Sequence, residues 1–225
     1  MRPGGNDLPL FVCALVCVTV VMIVYTRMSH ARQRELRQFA ASHGWTFDAT
    51  APYAAIGCSE FGCLCGRESP KALNVIGGRF NGIEFFCFDC FDFAVPKKNG
   101  RCRVASAITV VTPYTFKAIT IHSGFFRGAN CDMSYAGGIS FESEDFNRAF
   151  FVASEDKAFA YDVVSERMMA YLMANSPWSM EISGRRMIVY QETTALEPDG
   201  YIDALAFADG FFKQLPDYLA DKMRG

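Results

Sequence analysis

Signatures of catalysis are what this chain of 225 residues has least of, and it holds only three histidines. His30 stands beside an apolar run, His43 closes a predicted helix, and His122, next to Ser123, falls at a strand end. No G-x-S-x-G, P-loop or H-E-x-x-H is present, so the common nucleophilic, phosphate-cradling and zinc-hydrolase chemistries have no sequence support. The acids Glu142, Glu144 and Asp145 lack the ligand spacing and glycine of a calcium loop. They read instead as a helix start, where carboxylates favour the dipole. Charge of one sign is also scarce: Lys and Arg total 22 against 24 Asp and Glu, a net −2. That balance excludes the basic surface that nucleic acid requires. Tandem repeats and low-complexity tracts are absent. The sequence nominates no catalytic residue and no cofactor, and the expectation is a non-catalytic domain.

What is present is a long uncharged run. Residues Leu8 to Thr26 (LPLFVCALVCVTVVMIVYT) carry no charge between Asp7 and Arg27. At 1.5 Å rise per residue, about 19 apolar residues cross nearly all of a roughly 30 Å hydrocarbon core. A soluble core helix would show a polar face, and this run offers only Thr19. A cleaved signal would have a shorter apolar region and small residues at the cleavage site, whereas Tyr25, Thr26 and Arg27 follow. The run is therefore predicted to be an uncleaved single-pass anchor. It divides the chain into a tail (1–7), a transmembrane helix (8–26), a juxtamembrane helix (27–44) and a soluble domain (45–225). Arg27, Arg32, Arg34 and Arg37 crowd its C-terminal flank, against Arg2 on the other side. Basic flanks are retained in the cytoplasm, so the N-terminus is expected outside and the domain inside. The basic flank also suits contact with anionic lipid.

Cysteine is abundant, at nine residues. Cys13 and Cys17 lie in the anchor, leaving Cys58, Cys63, Cys65, Cys87, Cys90, Cys102 and Cys131, an odd number that cannot pair completely. Odd thiols suit a reducing compartment, where they behave as small apolar side chains. Cys58, Cys63 and Cys65 share one loop and are weak candidates for a metal, since zinc needs four converging ligands and this loop supplies three. Cys87 and Cys90 form a C-x-x-C within a predicted strand, where residues three apart point to opposite faces. That spacing disfavours both chelation and a redox pair, whose first Cys belongs at a helix N-terminus.

The remaining pattern is α+β, a mainly antiparallel sheet with packed helices. His30 to His43 reads as a helix with Leu36, Phe39, Ala40 and His43 on one stripe, stopped by Gly44. ALNVIGGRF and GIEFFCFDCFDFAV flank Asn81-Gly82, the favoured pair for a type I′ hairpin. Phe86, Phe88 and Cys90 fall on one face of the second strand, and Phe85, Cys87, Phe91 and Phe93 mostly on the other, so both faces are predicted covered. RCRVASAITVVT and FKAITIH are predicted as a third and a fourth strand, and 125–138 as a Gly-rich loop. Ser143 is predicted to cap a short turn and Ser154 the helix that follows. Lys157 to Asn175 reads as helical, recapped near Ser165. Trp178 to Ser183 and Arg186 to Gln191 are predicted to form a hairpin around Gly184-Arg185. A last amphipathic helix carries Ile202, Leu205, Ala208, Phe212 and Leu215 and breaks at Pro216.

Three stretches carry a resemblance: RELRQFAASHGWTF after the anchor, NVIGGRFNG, and ISFESEDFNRAFFVASEDKAFAYDVVSERMMAYL. The last is the most specific, with FES-x-x-FNR-x-F-x-V at its start. The chain resembles a group of bacterial membrane-anchored proteins with one domain of unknown function, over most of its length after Thr26. That resemblance implies a tethered domain, and it implies no activity, substrate or site residue. The cysteine-rich loop and Cys87/Cys90 fall outside its pattern. The reading is a single-pass membrane protein whose cytoplasmic domain binds a protein partner or anionic lipid headgroups; a tethered thiol-based metal or redox module is the alternative.

Overall fold

The computed structural model describes residues 7–58, 61–64, 71–90, 104–124, 138–192 and 195–224. Helix α1 (Asp7–Ser42) is continuous through the apolar run and the juxtamembrane stripe. No Gly or Pro interrupts Arg27 to Ser42, so nothing in the sequence kinks it there. Among the described residues one helix is thus long and apolar enough to cross a membrane, and none of the residues of that apolar stretch is buried in the domain. The C-terminal third of α1 does the reverse: Leu36 and Ala40 are fully buried. Gly44 ends it at φ +69°, and the His43 ring stacks on Trp45 with centroids 4.5 Å apart.

Strands β1 (Thr46–Pro52), β2 (Lys71–Phe80), β3 (Ile83–Asp89), β4 (Val104–Ser123), β5 (Phe150–Ser154) and β6 (Ser179–Glu192) form one antiparallel sheet. Its order is β1-β2-β3-β4-β5, with β6 also on β4. The β2–β3 turn is the predicted one, Asn81 at φ 49° and Gly82 at φ 83°. Two expectations are corrected. The third and fourth predicted strands are one strand of 20 residues, β4. The hairpin expected at Gly184-Arg185 is one strand of 14 residues, β6, that pairs with β4 along both halves. The two expected breaks mark a shared bend instead: the β4–β6 register shifts between Val111 and Phe116, opposite Gly184 at φ +54°.

Helices α2 (Glu144–Ala149), α3 (Lys157–Val163), α4 (Glu166–Ala174), α5 (Pro198–Gln214) and α6 (Asp217–Met223) complete the domain. Ser143 and Ser165 accept the capping hydrogen bonds of α2 and α4 as expected. Asp156, rather than Ser154, caps α3; Ser154 Oγ donates to Ala118 O across the sheet and accepts from the Asp156 amide.

Two cores result. The larger lies between the sheet and α1–α6, and includes Leu36, Phe85, Cys87, Ile119, Phe146, Met168, Tyr201 and Phe211. The smaller covers the other sheet face with residues 53–58 and 61–64, joining Tyr53, Ile56, Cys58, Phe61 and Cys63 to Val75, Phe88, Cys90, Ile188 and Tyr190. The predicted alternation along β3 holds, with Phe85 and Cys87 on one face and Phe88 and Cys90 on the other.

Candidate functional site

Asp89 ends β3 on the same face as Phe85 and Cys87, and its side chain is fully buried. A buried carboxylate must be paired and hydrogen-bonded or it destabilises the fold by several kcal/mol. Four elements converge to satisfy it. Arg32 of α1 donates through Nε to Oδ2 at 3.2 Å and through Nη2 to Oδ1 at 3.1 Å. Asn74 of β2 donates to Oδ2 at 2.9 Å, Ser106 of β4 to Oδ1 at 2.6 Å, and Tyr201 of α5 to Oδ1 at 2.9 Å. Ser106 Oγ in turn accepts from the Leu196 amide, and Arg32 Nη2 donates to the Leu196 carbonyl at 2.5 Å. Asn74 reaches inward at φ +50°, beside a register shift in β2.

Burial pushes the Tyr201 phenol well above its ordinary value, and the Asp89 charge adds to that, so Tyr201 remains a donor. Burial alone would lower Arg32, but its hydrogen bond to Asp89 and the nearby negative charge prevail and raise it. The knot therefore joins the helix that leaves the apolar run to β2, β3, β4 and the start of α5. The far end of α5 is tied as well, since Asn81 at the β2–β3 turn donates to Asp209 at 2.9 Å.

Sequence reasoning missed Asp89 and the partner role of Arg32. The signal was there: an acid in the apolar strand EFFCFD, on a face shared with Phe85 and Cys87, demands a cation. Arg32 is the flanking arginine about 140° around the helix from Arg27, on the side of Leu36.

A second polar group lies on the opposite sheet face. Tyr190 Oη is 3.1 Å from His122 Nδ1 and donates to Glu181 Oε1 at 3.3 Å. Glu181 Oε1 also accepts from the Cys63 amide at 2.8 Å. Tyr190 and Glu181 are nine positions apart on β6, so the bend in β6 is what lets them meet. Burial pushes His122 down to about 4, which keeps the ring neutral near pH 7 and makes it a poor base.

The cysteine candidates take their place from this face. Cys58 and Cys63 lie in the smaller core, while Cys65 falls outside the described residues, as do Cys102 and Cys131. Cys58 is pushed up to about 12 by burial, against the opposing Arg186 charge, so it is no thiolate near neutral pH. Arg186 lies over Gly57, where a Cβ would stand 2.6 Å from the guanidinium carbon, and Thr109 Oγ1 donates to Ile56 O at 3.2 Å. The loop is fastened by polar contacts and filled by its thiols. Cys87 and Cys90 point to opposite faces, as their spacing predicted. Among the described residues no three His, Cys, Asp or Glu side chains cluster for a metal. Glu144 and Asp145 occupy the first turn of α2, and Glu142 precedes its cap.

The fold is similar to that in the crystal structure of the mycobacterial trehalose monomycolate transport factor A, TtfA. The TM-score is 0.60 at 14% identity, over 82% of this chain and 96% of that one. At that identity the likeness is one of fold. No protein-family model and no curated protein sequence matches the chain. What the fold and this comparison define together is an α+β domain whose N-terminal helix is apolar outside the domain and enters its core by its C-terminal third.

Proposed function

We propose that this chain is a single-pass membrane protein whose cytoplasmic domain is a non-catalytic binding module for a protein partner in the same membrane. The observation that carries the reading is the Arg32–Asp89 knot on an unbroken α1. A domain that only needed tethering would hang from a flexible linker. Here the apolar helix continues straight into the core, which holds the domain at a fixed height and angle for a partner whose own position the bilayer sets. The neighbour in fold is named as a transport factor, and an accessory role beside a membrane transporter is the form of this function we favour. Membership of the tethered-domain group that the FES-x-x-FNR segment resembles fits the same reading.

The test uses the full-length chain in native membranes. Glu155, exposed between β5 and α3, is changed to Cys and treated with a membrane-impermeant thiol reagent before and after lysis. A photo-crosslinker at Tyr218 then reports neighbours, with and without a Gly-Ser insertion between Met28 and Ser29. The expected result is labelling after lysis only, and a membrane-protein adduct that the insertion abolishes. Labelling of intact cells would overturn the orientation. An adduct indifferent to the insertion would overturn the rigid-mount reading.

A further inference from the structure

The four arginines after the apolar run divide their work. Arg32 is committed to Asp89, and Arg37 lies over the Phe47 ring, 5.1 Å from its centroid. Arg27 and Arg34 do neither. Both are exposed, with His30 exposed between them. Seven positions apart, they sit about 20° apart around the helix and about 10 Å apart along it. Arg27, His30, Ala31, Gln33 and Arg34 line a shallow concavity of about 650 Å³. Neither arginine forms an ion pair among the described residues, and Glu35, the acid next to Arg34, neutralises neither.

Arg27 is the first charge past the apolar run, at the edge of the hydrocarbon. The headgroup layer beyond that edge is about 5–8 Å deep per leaflet, so the stripe from Arg27 to Arg34 spans that layer and little more. Two unneutralised guanidinium groups at that depth complement a phosphate that carries net charge, and each can grip it with two hydrogen bonds.

We propose that the Arg27–His30–Arg34 stripe seats the headgroup of one anionic phospholipid, beside the anchor and on the domain's own leaflet. The inference rests on the reading of α1 as a membrane span. A bound headgroup there holds the helix at one depth, while Arg32, on the opposite side, holds the domain to the helix.

The full-length protein is reconstituted in nanodiscs of equal parts phosphatidylcholine and phosphatidylglycerol, released, and weighed by native mass spectrometry. Wild type is expected to retain the anionic lipid over the zwitterionic one by roughly fivefold or more. In Arg27→Gln/Arg34→Gln the ratio falls to about one, while Arg27→Lys/Arg34→Lys and Arg37→Gln keep most of the preference. Equal retention by wild type, or a preference that survives the double Gln variant, overturns the lipid seat and leaves the span reading standing. Failure to insert into nanodiscs overturns both.

Discussion

Arg32 and Asp89, 57 positions apart, form a two-point ion pair in which the aspartate side chain is wholly inaccessible and the arginine side chain only 13% exposed. The pair clamps α1 to the sheet. Removing one partner strands the other, so Arg32→Ala is expected to destabilise the protein by about 3–5 kcal/mol. Arg37→Ala, which loses an exposed ring contact, should cost about 1 kcal/mol or less. Replacing both partners together, Arg32→Met with Asp89→Leu, should cost less than Arg32→Ala alone. Urea unfolding of the purified full-length protein checks the order. Equal effects from Arg32 and Arg37 would refute it.

The buried imidazole gives a pH signature. His122 titrates near 6.5 in the unfolded chain and at about 4 in the fold, because burial penalises its charged form. Below pH 6.5 the unfolded state binds the proton and the native state does not, so stability should fall as pH drops from 6.5 to 4. The full difference amounts to about 3 kcal/mol. His122→Gln should remove that part of the slope and leave stability above pH 7 governed by the new side chain's packing. A slope over this window unchanged in the variant would show that other groups produce it.

Gly210 and Tyr171 should be coupled. A Cβ at Gly210 would lie 2.2 Å from the Tyr171 hydroxyl, which is held in place by donating to Phe207 O at 2.8 Å. In an open helix interior Gly→Ala stabilises by roughly 1 kcal/mol. Here Gly210→Ala should destabilise, and the penalty should shrink in a Tyr171→Phe background, where the obstructing oxygen is gone. Four thermal melts complete the cycle, and additive effects would count against the contact.

Cys58 and Cys87 should be inert in the folded protein. Burial raises both thiols, Cys58 to about 12, and Asp89 adds to the rise at Cys87. Iodoacetamide at pH 8 followed by peptide mass mapping should leave both unmodified in buffer and modify both in urea. Rapid native modification of Cys58 would mean that the 53–64 loop opens readily.

Local chemistry was legible and distant pairing was not. Asn81-Gly82 announced its turn because few pairs accept two positive φ values in succession. Ser143 and Ser165 announced their caps because a hydroxyl before a helical pattern satisfies an orphan amide. Gly184-Arg185 misled for the same reason, being an ordinary turn signal. Only the partner strand, bending at the same place, turns two expected breaks into one shared corner. Asp156 displaced Ser154 as a cap because Ser154 found a partner on β4, 36 positions away. The site behaved likewise. The stripe Leu36 and Ala40 showed which side of α1 is buried, but that Arg32 completes a carboxylate on β3 is a fact of tertiary structure.

An unbroken α1 makes the protein a lever. Its 36 residues extend about 54 Å, with the sheet clamped to one end and, on the proposed reading of α1 as a span, the bilayer holding the other. A thinner or thicker membrane changes the tilt of a span that must match it. With no joint in between, each degree of tilt is delivered whole to the domain. Bilayer thickness thereby becomes an input to where the domain points.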